Sequence, residues 1–167
     1  QASPIEDRPV VGPKRGRVKR RVPMMGAEML FERAPPRLQK LLIVEDEPLV
    51  AFDNEYFLVA NGYIVVETID NAPAALVLIA AGGIDLVLCD VKLNASSGHD
   101  VALAARDAGK AVLFVTATCP IDARDIAVGC LAKPYSQKEL KAAIDVVAAR
   151  LEGKRPKRLP KALTLYG

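Results

Sequence analysis

The chain has no uncharged stretch long enough to cross a bilayer. Its longest, from Asn71 to Ile84, is short and broken by Pro73, Gly82 and Gly83. No apolar h-region stands near the amino terminus, so neither a membrane span nor secretion is expected and the sequence predicts a cytoplasmic protein. Cysteine is scarce: Cys89, Cys119 and Cys130 form no CxxC pair and fall in or beside predicted strands. That pattern predicts small buried hydrophobes in a reducing compartment. Histidine is scarcer. His99 stands alone at a predicted helix start, where it is expected to be exposed.

An even excess of positive charge is also missing. The net charge of +3 divides into +5 over residues 1–38, −6 over residues 39–150 and +4 over residues 151–167. An acidic globule between two basic tails is the simplest description. Neither tail shows a helix-turn-helix or interleaved aromatics, so nucleic acid is not the expected partner. The 167 residues, 51% hydrophobic, suffice for one core with appendages. Residues 1–38 hold six prolines, a basic run from Lys14 to Arg21 and no apolar period, which predicts a disordered arm.

The domain itself starts where Leu41, Leu42, Ile43 and Val44 run directly into Glu45, Asp46 and Glu47. Four consecutive aliphatic residues read as a strand covered on both faces, as in a parallel sheet, with the acids at its carboxyl end. Further strands are predicted over Tyr63–Glu67, Ile84–Cys89, Ala111–Val115 and Cys130–Ala132. Pro48 suits a first helical turn, and Leu49, Phe52, Tyr56 and Val59 at helical spacing predict a stripe turned to the sheet, ended by Gly62. Asp70 or Asn71 can cap a helix running to Ala81. A short Ala-rich helix is expected after Gly98, and a weak one over Pro120–Val128. Ser136 with Glu139 is a capping box, opening a last helix whose stripe is Leu140, Ile144, Val147 and Leu151. Five strands alternating with five helices predict an α/β fold, a doubly wound five-stranded parallel sheet over residues 39–151. A flexible basic tail is expected over residues 152–167, though Leu163, Leu165 and Tyr166 could dock on the body.

Each polar residue of interest then follows a strand. Glu45 and Asp46 follow the first, Asp90 the third, Thr116 the fourth and Lys133 the fifth. Open α/β sheets bind ligands at that edge. At about 5 Å and an effective dielectric of about 20, two carboxylates repel by roughly 3 kcal/mol, so the cluster calls for a cation. All-oxygen donors at few protein positions suit Mg²⁺. An aspartate beside such an ion can attack phosphorus to give an acyl phosphate, with Lys133 pairing to a phosphoryl oxygen and the Thr116 hydroxyl donating to another. Ala117 keeps the approach open.

In order and spacing, Glu45-Asp46, Asp90, Thr116-Ala117 and Lys133-Pro134 resemble the receiver domain of two-component response regulators, over residues 39 to about 150. The resemblance implies a flavodoxin-like strand order 2-1-3-4-5 and Mg²⁺ held by Glu45, Asp46, Asp90 and the main-chain carbonyl of Lys92. It further implies Asp90 as phosphoacceptor, Thr116 as switch hydroxyl, Lys133 as phosphate contact and a cis bond before Pro134. A sensor histidine kinase or histidine phosphotransfer protein would be the donor and a downstream protein the target. The protein would not be an enzyme in the ordinary sense, beyond catalysing its own Mg²⁺-dependent phosphorylation and dephosphorylation. The family's usual aromatic three residues before the lysine is here Cys130. Phe114 to Cys119 is similar to the Phe-Ala-Thr-Gly-x-Tyr signature of a stand-alone alphaproteobacterial subgroup, with Ala117 and Cys119 replacing its Gly and Tyr. With no second domain after Leu151, the expectation is a single-domain regulator that binds a partner or serves as phosphate relay or sink. The rivals are a metal-dependent phosphohydrolase, which would want an acid where Lys92 stands, and a nucleic-acid-binding regulator using the basic tails.

Overall fold

The computed structural model describes residues 38–156 and 158–167. The expected disordered arm therefore lies outside the described residues except for Leu38, which is buried in the core and belongs to the folded body. The first three strands follow the sequence closely: β1 is Lys40–Val44, β2 Ile64–Ile69 and β3 Leu86–Cys89. A two-stranded antiparallel hairpin, β4 Lys92–Leu93 and β5 Ser96–Ser97, follows. The sheet continues with β6 Ala111–Thr116, β7 Gly129–Ala132 and β8 Leu163–Leu165. Its order is β2-β1-β3-β6-β7-β8, parallel throughout except that β8 runs antiparallel to β7.

Alternation along the buried strands feeds two cores. Leu42 and Val44 of β1 point to one layer with Val87, Val112 and Phe114; Leu41 and Ile43 point to the other with Leu86, Leu88 and Leu113. Helices α2 (Ala72–Ala81) and α3 (Gly98–Asp107) close the first layer through Ala75, Ile79, Val101 and Ala105. On the opposite side, α1 (Pro48–Ala60) and α4 (Gln137–Leu151) cover the second through Leu58, Leu140, Ile144 and Val147. Two caps form as read: the Asn71 side chain accepts from Ala74 N–H, and Ser136 and Glu139 make the reciprocal box. Gly62 adopts φ +87° just past α1, a conformation that disfavours a Cβ.

Three expectations fail. The stripe Leu49, Phe52, Tyr56 and Val59 faces outward, with exposures of 81%, 65%, 71% and 53%. α1 instead buries Ala51, Asn54 and Leu58, a second set at the same helical spacing. Periodicity gives a helix its faces but not which one packs when both are apolar. No helix forms over residues 120–128: only Ile126 and Ala127 N–H reach back, both to the Ala123 carbonyl. That segment is too short to nucleate alone and its ends are tied elsewhere. The C-terminal tail is not wholly flexible, because Leu163–Leu165 extends the sheet and Leu163 is buried. Gly129 admits that strand; a Cβ there would stand 2.6 Å from the Thr164 carbonyl oxygen.

Candidate functional site

β1 and β3 pair in register, Val44 beside Cys89, so the residues that follow them emerge together at the carboxyl edge. Glu45 and Asp90 are buried there and Asp46 is half-buried. One carboxylate oxygen from each of Glu45, Asp46 and Asp90 lies within 4.8 Å of the others. β7 brings Lys133 to the same place. Its Nζ donates to Glu45 Oε2 (2.8 Å), Asp90 Oδ2 (2.8 Å) and Glu47 Oε1 (3.0 Å). Asp90 Oδ1 accepts from the Lys92 N–H at 3.1 Å, so both carboxylate oxygens are oriented.

Electrostatics follow from this packing. Burial pushes the Glu45 carboxyl above its ordinary value, partly offset by its hydrogen bond from Lys133. Burial by itself would depress Lys133, but the hydrogen bonds to Asp90, Glu45 and Glu47 outweigh it and hold the ammonium above the usual lysine value. One cation thus bridges acids that would otherwise repel. The donor set is all carboxylate oxygen and converges within one ion's reach, which fits Mg²⁺.

Thr116 is buried at the end of β6, and its carbonyl accepts the Lys133 N–H at 2.9 Å. Ala117 is exposed next to it. The Lys133–Pro134 bond is cis. The structure therefore gathers Glu45, Asp46, Asp90 and Lys133 in direct contact range and ties Thr116 to Lys133 through the main chain. For Lys92 it shows the N–H on Asp90.

Several participants escaped the sequence. Glu47, exposed, shares Lys133. Asn54, buried on α1, donates through Nδ2 to Tyr135 Oη (2.9 Å) and accepts at Oδ1 from Gln137 Nε2 (3.1 Å), fastening α1 to the segment after Pro134. A polar residue buried on a helix face could have drawn notice as needing such a partner. His99 is half-buried, with its ring centroid 5.7 Å from that of Phe114, and not exposed as expected. Cys119 and Cys130, expected as packing residues, are joined in a disulfide, while Cys89 is free and buried. Spacing could not reveal the pair: they meet because the β6–β7 connection folds back on β7.

Residues 41–145 match the sequence profile described as the response regulator receiver domain. Among curated proteins the chain is similar to the transcriptional regulatory protein PdtaR of Mycobacterium tuberculosis, 30% identical over 135 residues, covering 76% of this chain and 64% of that protein. It is also similar to the sensory transduction protein RegX3 of the same species, 34% identical over 119 residues, covering 68% of this chain and 52% of that protein. The chain thus spans between about half and two thirds of the length of these relatives. Among solved structures it resembles a CheY-like response regulator receiver domain protein from Methanospirillum hungatei JF-1. That match has TM-score 0.63 and 24% identity, and covers 70% of this chain and 98% of the other, a likeness of fold.

Proposed function

The chain belongs to the response regulator receiver domain family of two-component signalling, and from that premise we propose that Asp90 is its phosphoacceptor, served by Lys133 and Thr116. Receiver domains are signalling domains that accept a phosphoryl group, not classical enzymes. The observation that carries the reading is the contact of the Asp90 carboxylate with Lys133 Nζ at 2.8 Å inside a cluster completed by Glu45 and Asp46. The donor is a histidine kinase or a histidine phosphotransfer protein, and the protein works in the cytoplasm. It signals through protein contacts or hands the phosphoryl group on.

Glu45, Asp46 and Asp90, with the main-chain carbonyl of Lys92, would hold Mg²⁺. Bound there, the ion supplies charge neutralisation for the carboxylates and the phosphoryl oxygens. A carboxylate oxygen of Asp90 attacks phosphorus; the P–O bond forms, the P–N bond to the donor imidazole breaks, and the imidazole leaves with the electron pair. The Lys92 N–H holds the carboxylate by its Oδ1. Lys133, which bridges three acids in the unmodified protein, can turn its ammonium to a phosphoryl oxygen without leaving the cluster. The added charge of roughly −1.5 to −2 then draws the Thr116 hydroxyl inward and changes the β6–β7 face. Against the phosphohydrolase, the position two residues after Asp90 carries Lys92 and not the second aspartate such an enzyme would use there as general acid.

Incubation with a phosphorylated histidine kinase and Mg²⁺ tests this. The wild-type chain is expected to gain an acid-stable, base-labile phosphoryl group and Asp90→Asn none. Undiminished labelling of Asp90→Asn overturns the assignment.

A further inference from the structure

The Cys119–Cys130 bridge stands where the phosphoacceptor site and the β6–β7 face meet. Cys119 lies three residues after Thr116, and Cys130 three residues before Lys133. Strands β6 and β7 pair Phe114 with Cys130 and Thr116 with Ala132. The bridge therefore pins the chain leaving Thr116 onto the strand that delivers Lys133. From outside, the connection is also held by Tyr166, whose hydroxyl donates to the Pro120 carbonyl at 2.6 Å. The two sulfurs differ in access. Cys130 is wholly buried, whereas Cys119 is half-buried and lines a surface cavity of about 380 Å³ with Pro120, Ile121, Arg124 and Tyr166.

We propose that Cys119–Cys130 is a thiol–disulfide exchange site, opened by a dithiol reductant entering at Cys119, which sets how freely the Thr116 loop moves relative to Lys133. In a cytosol a disulfide is ordinarily transient, and it is catalytic or redox-sensing more often than structural. A thiolate of the dithiol attacks the Cys119 sulfur along the line of the bridge, and Cys130 leaves, takes one proton and remains as a small buried thiol. The second thiol of the reductant then attacks the mixed disulfide at the reductant's own sulfur. Cys119 departs into the cavity and takes the second proton. Two electrons and two protons pass from the dithiol to the pair, and the reductant leaves as a cyclic disulfide. Reversal with an oxidised dithiol recloses the bridge. Cys89, enclosed in β3, stays outside this chemistry. With the bridge open, the loop keeps its Tyr166 contact but loses its covalent tie, so Thr116 reaches the phosphoryl group more readily.

The regulatory part rests on Asp90 accepting phosphate, so the test reads both separately. The full chain is compared with and without dithiothreitol, alongside Cys119→Ser and the double variant Cys119→Ser/Cys130→Ala. Three readouts are alkylation of the folded protein, amide exchange over residues 117–128, and Asp90 labelling by acetyl phosphate with Mg²⁺. Cys119 is expected to alkylate only after dithiothreitol, with faster amide exchange. Labelling should accelerate about fivefold or more, the lower end of ordinary coupling between sites, and both variants should match the reduced protein in amide exchange and labelling and ignore the reductant. The proposal fails if the bridge opens only in denaturant, if opening leaves amide exchange unchanged, if it leaves labelling of a competent Asp90 unchanged, or if Cys119→Ser responds like wild type. Absence of labelling in every state sinks the phosphoacceptor reading, while alkylation and amide exchange still decide whether the bridge opens and frees the loop.

Discussion

Gly98 lies against the main chain of Asp90 so closely that a Cβ at position 98 would stand 1.9 Å from the Asp90 carbonyl oxygen and 2.9 Å from its carbon. The contact is made because the hairpin after Asp90 turns back, with the Gly98 N–H donating to the Val91 carbonyl at 3.0 Å. Gly98→Ala cannot be accommodated without moving backbone. A loss of about 3 kcal/mol or more in urea unfolding is expected, together with weakened phosphoryl labelling. Unchanged stability would mean that this approach is looser than the geometry requires.

Lys133 makes stability depend on alkaline pH. Its hydrogen bonds to Asp90, Glu45 and Glu47 outweigh burial and hold its folded value above the unfolded 10.5. Its contribution is therefore complete below 10.5 and is lost as pH rises through the higher folded value. The stability gap between wild type and Lys133→Met should stay level up to that point and shrink beyond it. Urea titrations across the alkaline range measure it, and a gap that widens with pH contradicts the pairing.

The two faces of α1 should answer differently to truncation. Leu58 is fully buried, and Leu58→Ala is expected to cost about 2–5 kcal/mol. Phe52, stacked on Tyr56 at the surface with ring centroids 6.2 Å apart, should cost about 0.5 kcal/mol or less when changed to Ala. Paired thermal melts decide it. Equal losses would return the outward stripe to the core.

Asp46 is the half-buried member of the acidic trio. At a Mg²⁺ concentration about ten times its Kd, wild type should gain about 1.4 kcal/mol of stability. Asp46→Asn should lose most of that gain, and EDTA should reverse it in wild type. A gain of the same size in Asp46→Asn removes this residue from the ion site.

Local signals carried far in this chain. Short aliphatic runs ended by acids gave strands, Asn71 and Ser136 with Glu139 gave helix starts, and Gly62 gave a helix end, because each depends on neighbours within one turn. Where the sequence misled, two choices were equal locally. α1 offers two apolar faces at one spacing, and the buried one contains Asn54, whose partners Tyr135 and Gln137 stand some eighty residues away. The stretch after Pro120 has the composition of a weak helix, yet a disulfide to β7 and a hydrogen bond from Tyr166 hold it as turns.

The sequence by itself determined that Glu45, Asp46, Asp90, Thr116 and Lys133 each stand at the carboxyl end of a strand, since strand ends are written in hydrophobic runs and the residues that break them. Only the tertiary structure decided that Lys133 reaches three carboxylates at once, that Cys119 finds Cys130, that Gly98 must lack a side chain, and that the last residues complete the sheet edge. These are distances between residues remote along the chain, and they are fixed by how strands register and layers pack, which no local pattern encodes.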